Sequence, residues 1–389
     1  MRTDIQAEAI ATAAATTVSV IVPTFNRASF LPECIDNCLQ TVPAHEIVVV
    51  DDGSDDATPE VAARYGDRIS YVRKANGGKP SAIAQDWRPP AANGWIFDDD
   101  DAALPDAIEH RLAALRHRPD AGFVYAPHLL GSSGHDGHIA TWGRNDVPRY
   151  SDAEFLLEIM RGCFFHLNSC LVRRSLFLQL GGLDPSLFSG EDYDFQIRLA
   201  RVSKPAFCPE PVFVFRQHEG VRGAMTVRYE ARDRNKVFRR YSAAIGRKIR
   251  NEFGLGEFLV PPQVQATGHN RRQALINRAH VMANHGCVAE MVDDLRDSLT
   301  CAPDRPLTSA ERSQIAATIR TGWAYDVCVD DWPGFVAAVR ALNREPGGRS
   351  VVRALARGLA DLATSYRAPW PMRIRRLGQA SHLLVTSLA

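Results

Sequence analysis

From residue 18 onward, short and almost wholly apolar runs alternate with longer stretches whose apolar residues recur at helical intervals. VSVIV at 18–22 precedes a helix-like stretch at 29–40, and EIVVV at 46–50 precedes Thr58-Pro59-Glu60, which offers an N-cap and a first-turn proline. Further strands are predicted at 69–72, 94–97 and 122–125, with a helix opened by Leu104-Pro105-Asp106 and running to about residue 117. Strands that read as continuous apolar runs are buried on both faces, so the pattern predicts an α/β fold: a mostly parallel, Rossmann-like sheet with helices on both sides. Residues 126–150 are rich in Gly, Ser, His and Asn, lack apolar periodicity, and read as an exposed, mobile loop. Order resumes with a helix near 155–160, a β-prone run CFFHLNSCLV, a helix at 174–180, and GEDYDFQIRLARV, a helix with Glu191 and Asp192 in its first turn. A short strand at 211–215 leads to Arg216-Gln217-His218.

The texture changes near Met225 to helix formers with few strand signals. RAHVMANHGCVAEMVDDL and WAYDVCVDDWPGFVAAVRAL read there as related helix hairpins. The expected organisation is therefore a flexible tail at 1–17, an α/β domain at 18–224 and a mainly helical region at 225–389.

Composition narrows the function classes. The 389 residues are 45% hydrophobic and 23% charged, which is the make-up of a folded chain. Lys+Arg 46 against Asp+Glu 45 leaves a net charge of +1 and no electrostatic reason to expect a nucleic-acid partner. The eight cysteines are dispersed with no C-x-x-C pair, so free thiols are expected rather than a disulfide framework or zinc knuckle. The first residues lack the apolar core of a signal peptide, and no run approaches the roughly 20 apolar residues that span a bilayer. These features place the protein in the cytoplasm. The basic residues between Arg232 and Arg250, and Arg373, Arg375 and Arg376, allow peripheral contact with an anionic membrane face.

The candidate chemistry lies where predicted strands stop. Asp51-Asp52 closes the second strand, and Asp98 to Asp101 closes the fourth. Adjacent carboxylates repel, and a hard divalent cation relieves that repulsion while bridging carboxylates to phosphate oxygens. Parallel sheets bind ligands beyond the carboxyl ends of their strands, where both clusters fall. Glu191 and Asp192 sit at a helix start, where the dipole favours an ionised carboxylate fit for general-base work. Lys79 follows Asn76-Gly77-Gly78, a stretch that allows close backbone approach to a phosphate.

VSVIVPTFNR, EIVVVDDGSDDAT, IFDDDDAALPD, GGLDPS and GEDYDFQIRLA, in that order, resemble the family 2 glycosyltransferases of GT-A fold over residues 18–218. The resemblance implies a metal-dependent, inverting transfer of one sugar from a nucleotide-diphosphate sugar, most simply a UDP-sugar, to an acceptor hydroxyl on a glycan, lipid-linked or small-molecule acceptor. It places Pro23, Thr24 and Asp52 at the nucleoside, Lys79, Asp98 and Asp99 at the donor, and Asp100 and His218 on Mn²⁺ or Mg²⁺. It makes Asp192 the general base and Glu191 the group that orients it. The chain lacks the Q-x-x-R-W element of processive synthases, which favours single-sugar transfer, and it lacks G-x-G-x-x-G and P-loop fingerprints. The alternatives are a non-catalytic scaffold on the same fold and a sugar-nucleotide nucleotidyltransferase, for which TFNRASF is a poor triphosphate loop.

Overall fold

The computed structural model describes residues 17–41, 46–86, 91–133, 139–187, 189–217, 234–320, 323–364 and 370–387. They form two compact units, Met1–Arg149 with Cys163–Arg234, and Tyr150–Gly162 with Asn235–Ala389.

In the first half of the chain β1 (Val18–Thr24), α1 (Leu31–Thr41), β2 (Glu46–Asp51), α2 (Thr58–Ala63), β3 (Ser70–Arg73), α3 (Lys79–Asp86) and β4 (Asn93–Ile96) alternate as the apolar runs predict. They are followed by β5 (Ala102–Ala103), α4 (Ala107–His117), β6 (Ala121–Tyr125), β7 (His128–Ser133) and β8 (Ile139–Asn145). After α5 (Asp152–Arg161) come β9 (Leu171–Arg173), α6 (Arg174–Gln179), α7 (Glu191–Val202), β10 (Lys204–Phe207) and β11 (Phe213–Arg216). Seven strands form the main sheet in the order β10-β6-β9-β4-β1-β2-β3. All its pairings are parallel except those of β9, which runs antiparallel to both β4 and β6.

Every residue of β1 is buried, because helices cover both faces and leave no solvent side for polar alternation. Its inward side chains meet Leu31, Cys34, Ile35 and Cys38 of α1 in one core. Each such aliphatic side chain contributes about 1.5–3 kcal/mol by leaving water. Strand order reverses at β1, which pairs with β2 on one side and β4 on the other. The carboxyl ends of those three strands therefore border one crevice, the usual ligand position in an open α/β sheet.

Residues 126–150 are not the exposed loop that their composition predicts. β7 and β8 pair antiparallel and join β11 and β5 in a second sheet of order β5-β11-β7-β8, with residues 134–138 outside the described set. The edge strand β8 has no buried position, so it carries no period-2 apolar signal. Gly131 is also a strand residue here, since a Cβ would lie 2.6 Å from Ile139 and 2.7 Å from Val214. CFFHLNSCLV yields only β9 as strand, after a 3-10 turn at Leu167–Ser169.

The second unit is helical. It takes in α5, which the sequence reading assigns to the preceding domain, together with α8 (Arg234–Glu252), α9 (His269–Asn284), α10 (Val288–Thr300), α11 (Ser309–Thr318), α12 (Ala324–Asp330), α13 (Trp332–Asn343), α14 (Gly348–Thr364) and α15 (Trp370–Thr386). The two predicted hairpins are α9 with α10 and α12 with α13. Buried Arg272 donates to the Ser298, Ala302 and Arg305 carbonyls and so closes the end of α10. The basic stretch on α8 is partly neutralised within the unit: Arg239 pairs with Asp330 at 2.7 Å, Arg247 with Glu290 at 2.8 Å and Arg250 with Asp294 at 3.0 Å. Among the described residues no helix is long and apolar enough to cross a membrane.

Candidate active site

The end of β2 is built around two carboxylates with different duties. Asp51 is fully buried and accepts from the Ser54 amide at 2.8 Å and the Tyr71 hydroxyl at 2.5 Å, which fixes the turn after the strand. Asp52 donates its amide to the Thr24 carbonyl, locking β1 to β2 at their tips. Its carboxylate accepts from Lys74 Nζ at 2.7 Å, from the Gly77 amide at 3.0 and 3.1 Å and from the Gly78 amide at 2.7 Å. Its acceptor capacity is thus taken up by the segment that leads into α3. Gly53 is required between the two strands' turns: its φ is 84°, and a Cβ would meet the Asn76 amide nitrogen at 3.0 Å. Pro23 and Thr24 end β1 beside this turn, both buried.

The four-acid run is sorted by burial. Asp101 is 1% exposed and accepts from Asn168 Nδ2 at 2.6 Å and the Arg216 amide at 2.9 Å. Burial, reinforced by the charges of Asp100 and Asp98, pushes its carboxyl well above the usual range. Asp99 is also buried, 3.9 Å from the Arg27 guanidinium; burial and then the Asp100 charge push it up to about 8. Asp98 and Asp100 keep more exposed side chains, at 28% and 19%, and each faces a cation, Lys79 at 2.8 Å and Arg27 at 3.6 Å respectively. Asp98 and Asp100 are thus the two acids of the run left nearer solvent.

Lys79, the first residue of α3, joins the acid run to the helix-start acids. Its ammonium lies 2.8 Å from Asp98 Oδ1 and 3.1 Å from Asp192 Oδ2, bringing together two carboxylates 94 positions apart along the chain. Burial disfavours that ammonium, but Asp192, Asp98 and Glu191 together outweigh it and hold Lys79 charged well above its ordinary range. Gly190 caps α7 with φ 82° and aims Glu191 and Asp192 out of the first turn. Asp192 Oδ1 is buried without a hydrogen-bond donor among the described residues, an acceptor atom left open. Burial, then the neighbouring Asp192 charge, pushes Glu191 up to about 7, with Lys79 opposing. Glu191 therefore changes charge near neutral pH.

Sequence reasoning missed Arg27 and Asn168 and understated Arg216. Arg27 follows Asn26, whose positive φ of 54° turns the chain while its amide donates to Ser54 Oγ at 2.9 Å and its side-chain oxygen accepts from the Asp55 amide at 2.9 Å. The signal was present in TFNR, directly after a strand that ends at the crevice. Arg216 is buried and donates from Nε to the Asp100 carbonyl at 2.7 Å, from Nη1 to Ser133 Oγ at 2.6 Å and from Nη2 to Glu33. It braces the acid run from beneath. His218 lies outside the described residues. Among the described residues no three His, Cys, Asp or Glu side chains gather as a complete metal cage. The pair Asp98 and Asp100 supplies hard oxygen donors of the kind that hold Mg²⁺ or Mn²⁺ together with substrate phosphates, so the donor set fits such an ion.

Residues 19–179 match the model of the family described as glycosyl transferase family 2. The chain is similar to an uncharacterized glycosyltransferase of Rickettsia typhi, 32% identical over 209 residues that cover 52% of this chain and 64% of that protein. It is 28% identical over 194 residues to a chondroitin synthase of Pasteurella multocida, covering 48% of this chain and 19% of the synthase. The chain thus spans just under two thirds of the length of the Rickettsia relative. In fold it is similar to TarS residues 1–349 of S. aureus in complex with UDP-GlcNAc, with TM-score 0.51 and 16% identity over 84% of this chain and 92% of that one.

Proposed function

From the match of residues 19–179 to glycosyl transferase family 2 and the GT-A fold, we propose that the chain is an inverting, metal-dependent glycosyltransferase moving one sugar from a UDP-sugar to an acceptor hydroxyl. The observation that carries this reading is Lys79, whose ammonium bridges Asp98 of the donor-side acid run and Asp192 at the start of α7. A cation between a diphosphate-facing acid and a base is what a displacement needs: one end of the reaction gains negative charge as the other loses a proton.

In the proposed step Asp192 takes the proton of the acceptor hydroxyl, whose oxygen bonds to the anomeric carbon while the bond to the nucleotide diphosphate breaks and its electron pair leaves with the diphosphate. Lys79 and Arg27 face that departing charge. A divalent ion held by Asp98 and Asp100 would supply further Lewis-acid neutralisation of the diphosphate. Glu191 steadies Asp192. Its position near 7 also makes it a second candidate base, because a base works best with a pKa near the operating pH. For Asp52 to read the uracil ring, the contacts to Lys74, Gly77 and Gly78 must give way to the nucleotide, since those groups now occupy its oxygens. UDP as the nucleotide is supported by the similarly folded TarS complex with UDP-GlcNAc.

The test is calorimetric UDP binding with and without Mn²⁺, then transfer or donor hydrolysis from UDP-sugars by wild type, Asp192→Asn and Glu191→Gln. The reading expects metal-dependent UDP binding, retained in both variants, with turnover lowered by roughly 10²–10⁴-fold in Asp192→Asn and much less in Glu191→Gln. The reverse order would transfer the base role to Glu191. Absence of binding to UDP, GDP and dTDP would leave the scaffold alternative.

A further inference from the structure

The helical unit holds a second concentration of charge that the transfer reaction does not use. A groove of about 720 Å³ is lined by Arg312 of α11, by Asn343 at the end of α13 and Glu345 after it, and by Arg349, Arg353 and Arg357 of α14. Four guanidiniums face one carboxylate across it. The three on α14 recur at every fourth residue, so they occupy one helix face over two turns, about 12 Å of rise. Like charges at that spacing repel, and among the described residues the side chains of Arg349, Arg353 and Arg357 make no ion pair or hydrogen bond. Among the described residues the Arg312 guanidinium donates to the Leu307 carbonyl and to no acid.

The contrast with the rest of the unit is direct. Arg250 and Arg278 share the buried Asp294 at 3.0 and 2.7 Å, Arg305 meets Glu311 at 2.6 Å, and Arg320 meets Asp361 at 3.0 Å. Glu311 lies on α11 and Asp361 on α14, the helices that also carry Arg312 and the three groove arginines, so these helices have acids and place them elsewhere. The groove also takes in Gly347 and Ser350 around the first turn of α14, where backbone amides and the helix dipole add positive potential. Gly347 adopts φ 81° to let the chain turn into that helix.

We propose that this groove binds a ligand carrying two or more phosphoryl groups, which the α14 arginines take in fork-like, bidentate contacts. Guanidinium is the side chain suited to that geometry, and successive arginines 6 Å apart along the axis match an extended ligand better than a single small anion. The site is independent of the proposed transfer: none of its residues belongs to the acid run, α3 or α7.

The experiment titrates the full chain with inorganic tripolyphosphate and, separately, with inorganic phosphate at low and moderate salt. Tripolyphosphate is expected to bind more tightly than phosphate, with affinity falling as salt rises. Arg353→Glu and the double variant R353A/R357A are each expected to weaken it by about tenfold or more, while Arg375→Glu, an equal charge change on α15 outside the groove, leaves it unaltered. UDP binding, read in the same samples, reports the donor site separately, and thermal unfolding confirms that the exposed substitutions leave the fold intact. Co-sedimentation with phosphatidylcholine vesicles containing phosphatidylglycerol separates the sources. Recruitment lost in Arg353→Glu assigns the phosphates to lipid headgroups, and tripolyphosphate binding without recruitment assigns them to a soluble ligand. No groove-dependent binding in either arm, or tripolyphosphate binding weakened equally by Arg375→Glu, overturns the proposal.

Discussion

Arg216→Met tests whether the acid run is held from beneath by one buried side chain. Methionine keeps an unbranched apolar stem against Phe30, whose ring centroid lies 5.2 Å from the guanidinium carbon, and removes only the charged head. Three hydrogen bonds then vanish along with the guanidinium's contact with the Phe30 ring. The Asp100 carbonyl loses a charge-assisted donor at 2.7 Å, worth about 1.5–3 kcal/mol. Glu33 is 30% exposed and turns to water, so losing its pair costs at most about 1 kcal/mol, and Ser133 is exposed and rehydrates. The expected loss is therefore about 2–4 kcal/mol, or roughly 5–12 °C in the melting transition of a unit of this size. Differential scanning calorimetry reads it, and the transition of the helical unit serves as the internal reference. Adding Glu33→Gln should recover only the smaller, Glu33 part. A Met variant within about 0.5 kcal/mol of wild type would refute the brace, because the bond from Arg216 to the Asp100 carbonyl would then contribute nothing to stability.

Other outcomes follow from the same geometry. Asp100→Ala should abolish the Mn²⁺ dependence of UDP binding with little loss of stability, whereas Asp101→Ala, which orphans Asn168 Nδ2 and the Arg216 amide, should lower the melting transition by about 2–5 kcal/mol equivalents; the opposite assignment would shift the metal register by one residue. Gly53→Ala forces a side chain onto φ 84° and against the Asn76 amide at 3.0 Å, and should cost about 1–3 kcal/mol together with UDP affinity, checked by denaturation and calorimetry. His128 is pushed from 6.5 down to about 4 by burial and then by the charge of His166. The unfolded chain therefore takes up this proton first as pH falls, and stability is lost between about 6.5 and 4, by roughly 3 kcal/mol in total. His128→Asn should flatten that part of the pH–stability curve relative to wild type, and an unchanged slope would show that His128 reaches solvent in the native state.

Residues whose environment is set by the local pattern could be read before any coordinates. VSVIV and EIVVV became β1 and β2 because strands covered on both faces need no polar alternation, and the acids that end them had to sit at strand tips. The helix start at Glu191 was equally local, since Gly190 and the apolar spacing behind it both lie within a few residues. What the sequence hid was decided by partners far along the chain. β7 and β8 are strands because β11, more than 65 positions later, pairs with β7, and Gly131 makes room for that neighbour. Arg27 had no assigned role in the sequence, and the fold sets it 3.6 Å from Asp100.

The run Asp98 to Asp101 shows why composition alone could not settle the chemistry. Four identical side chains in series carry no internal mark of register, and counting back from Pro105 supplies one only by resemblance. Burial breaks the degeneracy: Asn168 and the Arg216 amide claim Asp101, and the core claims Asp99 at the cost of raising its carboxyl to about 8. The two acids left nearer solvent each meet a cation, and one of those cations, Lys79, is also in contact with Asp192. The sequence marks Lys79 as a donor contact after two glycines, but its contact with Asp192, 113 positions later, is visible only in the fold. The same reasoning gives the helical unit its interest. Arginines at 349, 353 and 357 form no motif in the sequence, and only the fold shows that Arg312 is brought to the same groove with a single acid, Glu345, among its lining residues.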